Sequence, residues 1–200
     1  MIRRVLVAAV AVLALAGCQT HTGTAAYVGD HRITTDQVDR AVAARSQAPR
    51  GAATQNSVNV LIQTELLRTV AAGLGTAVSP SLVDQARADQ QIQAQAAELG
   101  VDPAAFGTLA AYFVSVQNEL VLRVMGVSVA DPAALQPTQA QLAEVQNRMA
   151  ALRSKAAHDH AVTVNPRYGQ FDVQRALVTS GAEAGIKVLT PEPGQAPTAP

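Results

Sequence analysis

A mainly α-helical bundle, closed by a small antiparallel sheet from the two ends of the chain, is the fold class this sequence predicts. Three observations point to it. Alanine and glutamine abound while aromatic residues make up only 3% and Trp is absent, a balance that suits helices over sheets. Apolar residues recur every three or four positions through most of the interior of the chain. Strand-like material is confined to Tyr27-Val28 near the start and Ala161–Leu177 near the end, and neither run is long enough to stand alone.

The first 17 residues are set apart from that fold. Arg3 and Arg4 precede Val5–Ala16, an apolar run of 12 residues that is too short to span a bilayer as a helix and suits the core of a signal peptide. Leu15-Ala16-Gly17-Cys18 follows directly and resembles a bacterial lipobox, in which a lipid is attached to the cysteine thiol and the leader is cut just before it. Cys18 is the only cysteine, so no disulfide framework or thiolate metal cluster is expected, and the sole cofactor-like group is the covalent lipid. Residues 18–24 read as a lipidated tether, small and polar. These features place the protein on the extracytoplasmic face of the cell membrane, with the membrane as a partner through the anchor. With the leader removed, 13 basic residues face 15 acidic ones, so no positive field exists to attract nucleic acid.

Residues 25–189 are expected to form one helical domain. Tyr27-Val28 is a short strand, Gly29-Asp30 a turn, and Thr34 with Gln37 a capping box that opens the first helix, whose apolar side is Val38, Ala41 and Val42. Ala48–Gln55 reads as a loop and Asn56 or Ser57 as the next cap. The stripe Val58, Leu61, Ile62, Leu66, Val70 and Leu74 then runs to glycines at 73 and 75. Ser79-Pro80 starts a helix over Ser81–Leu99 whose large apolar side chains are few, which predicts a partly exposed arm.

Asp102-Pro103 repeats the signal, and Ala104–Met125 has the strongest helical pattern in the chain. Phe106, Leu109, Phe113, Val116 and Leu120 form its stripe, while Val114, Val121, Leu122 and Met125 widen the apolar surface, so this helix should be the centre of the bundle. Any of the stripe left exposed is the candidate client surface. Asp131-Pro132 starts a single turn. Thr138 and Gln141 form a second capping box, opening a helix whose seam of Leu142, Val145, Met149, Leu152 and Ala156 is too short for an autonomous coiled coil. Ala161–Val164 is strand-like, Asn165-Pro166-Arg167-Tyr168-Gly169 a structural turn, and Gln170–Val178 a second extended segment. Residues 190–200 hold four of the ten prolines and read as a disordered tail.

The order of a lipobox, then Tyr27-Val28-Gly29-Asp30-His31-Arg32-Ile33-Thr34-Thr35-Asp36-Gln37-Val38-Asp39, then helices, then Val164-Asn165-Pro166-Arg167-Tyr168-Gly169-Gln170-Phe171-Asp172 resembles the SurA/PrsA family of secreted foldases. It is most similar to the SurA N-terminal-domain lipoproteins of high-GC Gram-positive bacteria. The resemblance implies a helical chaperone module closed by a sheet from distant parts of the chain, and unfolded polypeptide as client. Enzymatic members also carry a parvulin-type prolyl isomerase domain of roughly 100 residues. No such segment fits between His160 and Ala161, so isomerase activity is not implied and no catalytic residue is assigned.

Other chemistry finds little support. His21, His31, His158 and His160 do not form a metal-ligand set; His158 and His160, two apart on a helix, point to different faces. No nucleophile elbow or phosphate-cradling loop occurs. Arg167 is expected to pair with a carboxylate such as Asp30 or Asp172, and Tyr168 and Phe171 to anchor the sheet on the bundle. Two function classes follow: a non-catalytic chaperone-like lipoprotein that holds unfolded secreted polypeptides, or an accessory lipoprotein that binds one folded envelope partner. An open cleft lined by Leu, Val and Phe favours the first, a flat apolar patch with a polar rim the second.

Overall fold

The computed structural model of the protein describes residues 23–43, 48–127 and 136–179. Cys18, the leader, the turn at Asp131-Pro132 and the tail 190–200 lie outside the described residues.

Strand β1 (Thr24–Val28) turns at Gly29-Asp30 into β2 (His31–Thr34), with Val28 opposite His31 and Ala26 opposite Ile33. The sequence pattern gives no strand at 31–34. A two-residue loop with Gly first is a hairpin connection, and pairing buries Val28 and Ile33 on one face. Thr34 then closes the box: its Oγ1 accepts from the Gln37 N–H at 3.1 Å, and its own N–H donates to Gln37 Oε1 at 2.7 Å. Helix α1 (Thr35–Ala41) buries Val38 and Ala41.

Helix α2 (Arg50–Leu74) starts seven residues before Ser57. The expected loop over Ala48–Gln55 is thus corrected: only its first two residues precede the helix. Pro49 occupies the cap position without a side-chain bond, and Arg-Gly-Ala-Ala-Thr-Gln continues helically because Ala53 and Gln55 face the interior. Asn56 and Ser57, free of capping, bind elsewhere. Asn56 Nδ2 donates to the Leu99 carbonyl at 2.8 Å, and Ser57 Oγ donates to the carbonyls of Ala41 and Ala53.

The single helix expected over Ser81–Leu99 is two. α3 (Pro80–Ala88) ends at Asp89, whose backbone is extended (ψ 121°) and whose carboxylate accepts from the N–H groups of Gln91 and Ile92, opening α4 (Gln90–Leu99). Aspartate satisfies orphan N–H groups at a helix start better than it serves mid-helix. The pair is exposed as expected: α3 buries no residue and α4 only Ala96.

Helix α5 (Pro103–Met125) lies in the middle, packed on α2, α3, α4 and α6 (Gln139–Asp159). Thr138 and Gln141 cap α6 as the sequence indicates. Its Val145, Met149 and Ala156 join the main core with Val58, Ile62 and Leu66 of α2 and Val116 and Leu120 of α5. A smaller core of Val60, Ala96, Val101 and Phe106 ties α4 to α2 and α5.

After α6 the chain returns to its beginning. β3 (Thr163–Val164) pairs antiparallel with β1, setting Ala26 opposite Val164 and giving the order β2-β1-β3. The Asn165 N–H extends the pairing to the Ala25 carbonyl at 2.8 Å. A 3₁₀ turn over Pro166–Tyr168 leads to β4 (Gln170–Asp172) and β5 (Leu177–Thr179), a separate antiparallel hairpin. The expected extended run over Gln170–Val178 is therefore two strands, split by a turn in which Asp172 Oδ1 accepts from the N–H groups of Gln174 and Arg175. The fold is mainly α, with its sheet drawn from both ends of the chain.

Candidate functional site

The α5 stripe Phe106, Leu109, Phe113, Val116 and Leu120 is a candidate client surface only where it stays exposed, and most of it lies in the core. Phe106, Val116 and Leu120 are at most 4% exposed, and Leu109 and Phe113 are half-buried against the same cores. The reason is position: helices on several sides of α5 cover the stripe richest in large side chains, where area burial stabilises most.

The exposed apolar side chain of α5 is instead Val114, 40% exposed, one of those that widen the helix beyond its stripe. Val114, Ala110 and Ala111 form the floor of an open groove of about 220 Å³, walled by Leu82, Ala86 and Ile92, with Gln85 and Asp89 at its polar edge. Its walls come from both sides of the Asp89 joint. Asp89 caps α4 through Oδ1 and places the single carboxylate of the lining at that edge. Pockets for drug-sized ligands run from about 300 to 1,000 Å³; this one accommodates one or two aliphatic side chains.

Gly107 sets how closely α3 approaches α5 beside that groove. A Cβ there would come within 2.9 Å of Arg87 Cα and Cγ, so the backbones of α3 and α5 approach only because the side chain is missing. Arg87 then reaches over to Thr108 Oγ1 at 3.1 Å, while Gln93 Nε2 donates to the Arg87 carbonyl at 2.9 Å. Neither Gly107 nor the groove stands out in the sequence pattern. The available signals were a glycine inside a strong helix and apolar residues outside the main stripe.

The turn residues Asn165, Pro166, Arg167, Tyr168 and Gly169 come together as structure. Asn165 Nδ2 donates to the Thr24 carbonyl at 3.0 Å and its Oδ1 accepts from the Arg167 N–H. Arg167 does not meet Asp30 or Asp172 as expected. Its guanidinium lies 4.4 Å from the Tyr168 ring centroid and donates to the Tyr168 hydroxyl, while Asp172 faces Arg175 at 3.7 Å. An aromatic face beside it in the chain offers a cation an adjacent partner. Tyr168 is buried in the main core and Phe171 packs against it, anchoring the sheet segment as inferred. Gly169 (φ +123°) passes so close to β5 that any Cβ would strike the Thr179 carbonyl oxygen.

No family model matches the chain, and no curated protein or solved structure matches it significantly.

The titratable groups add no reactive cluster. Among the described residues no three His, Cys, Asp or Glu side chains gather as a metal would require. His31 faces Glu65 at 3.5 Å, and the His160 carbonyl accepts from the Gly29 N–H. The Asp159 carboxyl is held below its usual range by the Lys155 hydrogen bond, with the charges of Lys155, His158 and His160 assisting. Burial lowers the pKa of the Arg153 guanidinium from its usual value, and its Nε has no hydrogen-bond partner among the described residues. Among the described residues no helix is long and apolar enough to cross a membrane.

Proposed function

We propose that this is a cell-envelope lipoprotein, anchored to the membrane through lipid on Cys18, whose helical module holds extended secreted polypeptide without catalysing a reaction on it. The observation that carries the holding role is the groove between α3, α4 and α5: open, apolar and with its one carboxylate, Asp89, engaged in capping. Such a site takes aliphatic side chains in passing and selects weakly among them. Affinity is therefore expected near the micromolar range, about −8 kcal/mol. The resemblance to SurA/PrsA-type modules supports the same role.

The test is light scattering from a chemically unfolded client mixed with a soluble form of the protein beginning at Gln19, against an equal mass of an inert protein. Slower aggregation without ATP, lost in Val114→Asp, is the expected result. Scattering equal to the control across several clients overturns the holding role and favours a dedicated folded partner. Labelled fatty acid entering a Cys18→Ala chain would overturn the anchor.

A further inference from the structure

Three amide side chains on the far side of the core do something unusual for a helix interior. Gln55, Asn59 and Gln63 are spaced by four, so they share one face of α2, and each is at most 9% exposed. All three point their amides at the backbone of residues 176–178, the last turn residue and the start of β5. Asn59 Nδ2 donates to the Val178 carbonyl at 3.1 Å while its Oδ1 accepts from the Val178 N–H at 2.7 Å. Gln55 Nε2 donates to the same carbonyl at 3.2 Å, and Gln63 Nε2 donates to the Ala176 carbonyl. The helix thus acts on β5 as a neighbouring strand would, using side chains in place of a backbone ladder.

We infer that this face of α2 is a strand-docking site for an extended peptide, occupied here in cis by residues 176–178. The bonds go to main-chain atoms, so they are indifferent to the docked side chains. Selection comes from two positions only: Val178 is fully buried, and Ala176, 2% exposed, sits at φ +52°. The ligand class is therefore a peptide with a small residue followed, two positions on, by a β-branched aliphatic one. The row cannot be left dry and empty, because a buried amide without a partner is costly. The segment in place pairs as a strand only within its own hairpin. β4–β5 is a two-stranded hairpin, marginal by itself, and it pairs with no strand of the β2-β1-β3 sheet. This site lies apart from the groove residues and is independent of what the groove holds.

The test uses the full chain with Val178→Asp, which expels the cis segment by placing a charge in an apolar site, and a fluorescent peptide of the sequence Val173–Thr179. Anisotropy should show binding to the variant and at least tenfold weaker binding to the unmutated chain, whose own segment competes at high effective concentration. Adding Asn59→Ala to the variant should weaken binding by about thirtyfold, the effect of two lost hydrogen bonds. A helical Val178→Asp chain that binds no better than the unmutated one, or binding indifferent to Asn59→Ala, overturns the inference. If Val178→Asp does not fold, hydrogen exchange on the unmutated chain decides. The Val178 amide should exchange at least tenfold faster than those of Leu66 and Leu67 in mid-α2; equal protection would mean the segment never leaves without global unfolding, and the site is not one.

Discussion

Ala161 follows the cap residue of α6 with φ +44° and lies exposed to solvent. Its N–H reaches back to the His158 carbonyl, the kind of bond that ends a helix through a left-handed residue, a place usually given to glycine. An L-residue with a Cβ is strained there by roughly 1–2 kcal/mol. Ala161→Gly should therefore raise stability by about 1 kcal/mol, since the greater freedom of glycine in the unfolded chain offsets part of the relief. Thermal unfolding should show the midpoint rising by about 2–4 °C. The Thr34 box works in the opposite sense. Thr34→Ala removes the side-chain acceptor for the Gln37 N–H and should cost about 1 kcal/mol, read by the same measurement. The two positions differ in what the sequence discloses. Thr34 and Gln37 announce themselves because both halves of a capping box are polar side chains at fixed spacing. A left-handed alanine carries no such mark, since only the turn of the chain toward β1 forces its conformation.

At the scale of elements, the long helices could be placed from apolar spacing and the small breaks between them could not. Ala86, Ala88, Ala94, Ala96 and Ala97 make 81–99 look uniformly helical, so propensity conceals the joint at Asp89. The start of α2 was hidden for the converse reason: Pro49 and Gly51 look like loop, yet Ala53 and Gln55 are buried in their helical places. That error also concealed the amide row, because Gln55 as a loop residue breaks the four-residue spacing with Asn59 and Gln63. The groove was concealed by the strength of the α5 stripe, whose richest side belongs to the core. Gly107 gives this scale its prediction. Alanine gains about 1 kcal/mol of helix propensity but meets the α3 backbone at 2.9 Å, and overpacking of that kind costs about 1–3 kcal/mol. Gly107→Ala should leave the melting temperature within a few degrees while loosening α3, which has no buried side chain to hold it. Faster hydrogen exchange over residues 80–88 with α2 unchanged is the expected pattern. Unaltered exchange there would mean the close approach does not secure the groove wall.

At the scale of the whole molecule, the chain is closed by contacts between its first and last described segments, and these contacts are not confined to the sheet. β3 supplies backbone partners to β1, Asn165 binds the carbonyls of Thr24 and Ala25, and Tyr168, Ala176 and Val178 enter the core formed by α2, α5 and α6. Only the pairing of the ends was readable beforehand, from two strand-like runs that each lacked a neighbour. The docking of β5 on a helix was not, because it depends on amides whose partners are main-chain atoms 113 to 123 residues away. The consequence is a length threshold. Ending the chain before Ala161 withdraws Tyr168 and Val178, worth about 1.5–3 kcal/mol each for a fully buried side chain. It also leaves Gln55, Asn59 and Gln63 without their partners, at about 1–3 kcal/mol for each amide that water cannot reach. The combined loss is comparable with the 5–15 kcal/mol that typically separates folded from unfolded domains. A chain ended before Ala161 should therefore lose its cooperative thermal transition, although the helices from α1 to α6 are all still encoded. A chain ended after Leu189 retains every contact named here and should melt within a few degrees of the parent. Equal melting of the two shortened chains would show that the helices fold without the closing segment, and that the meeting of the ends is not what holds the bundle.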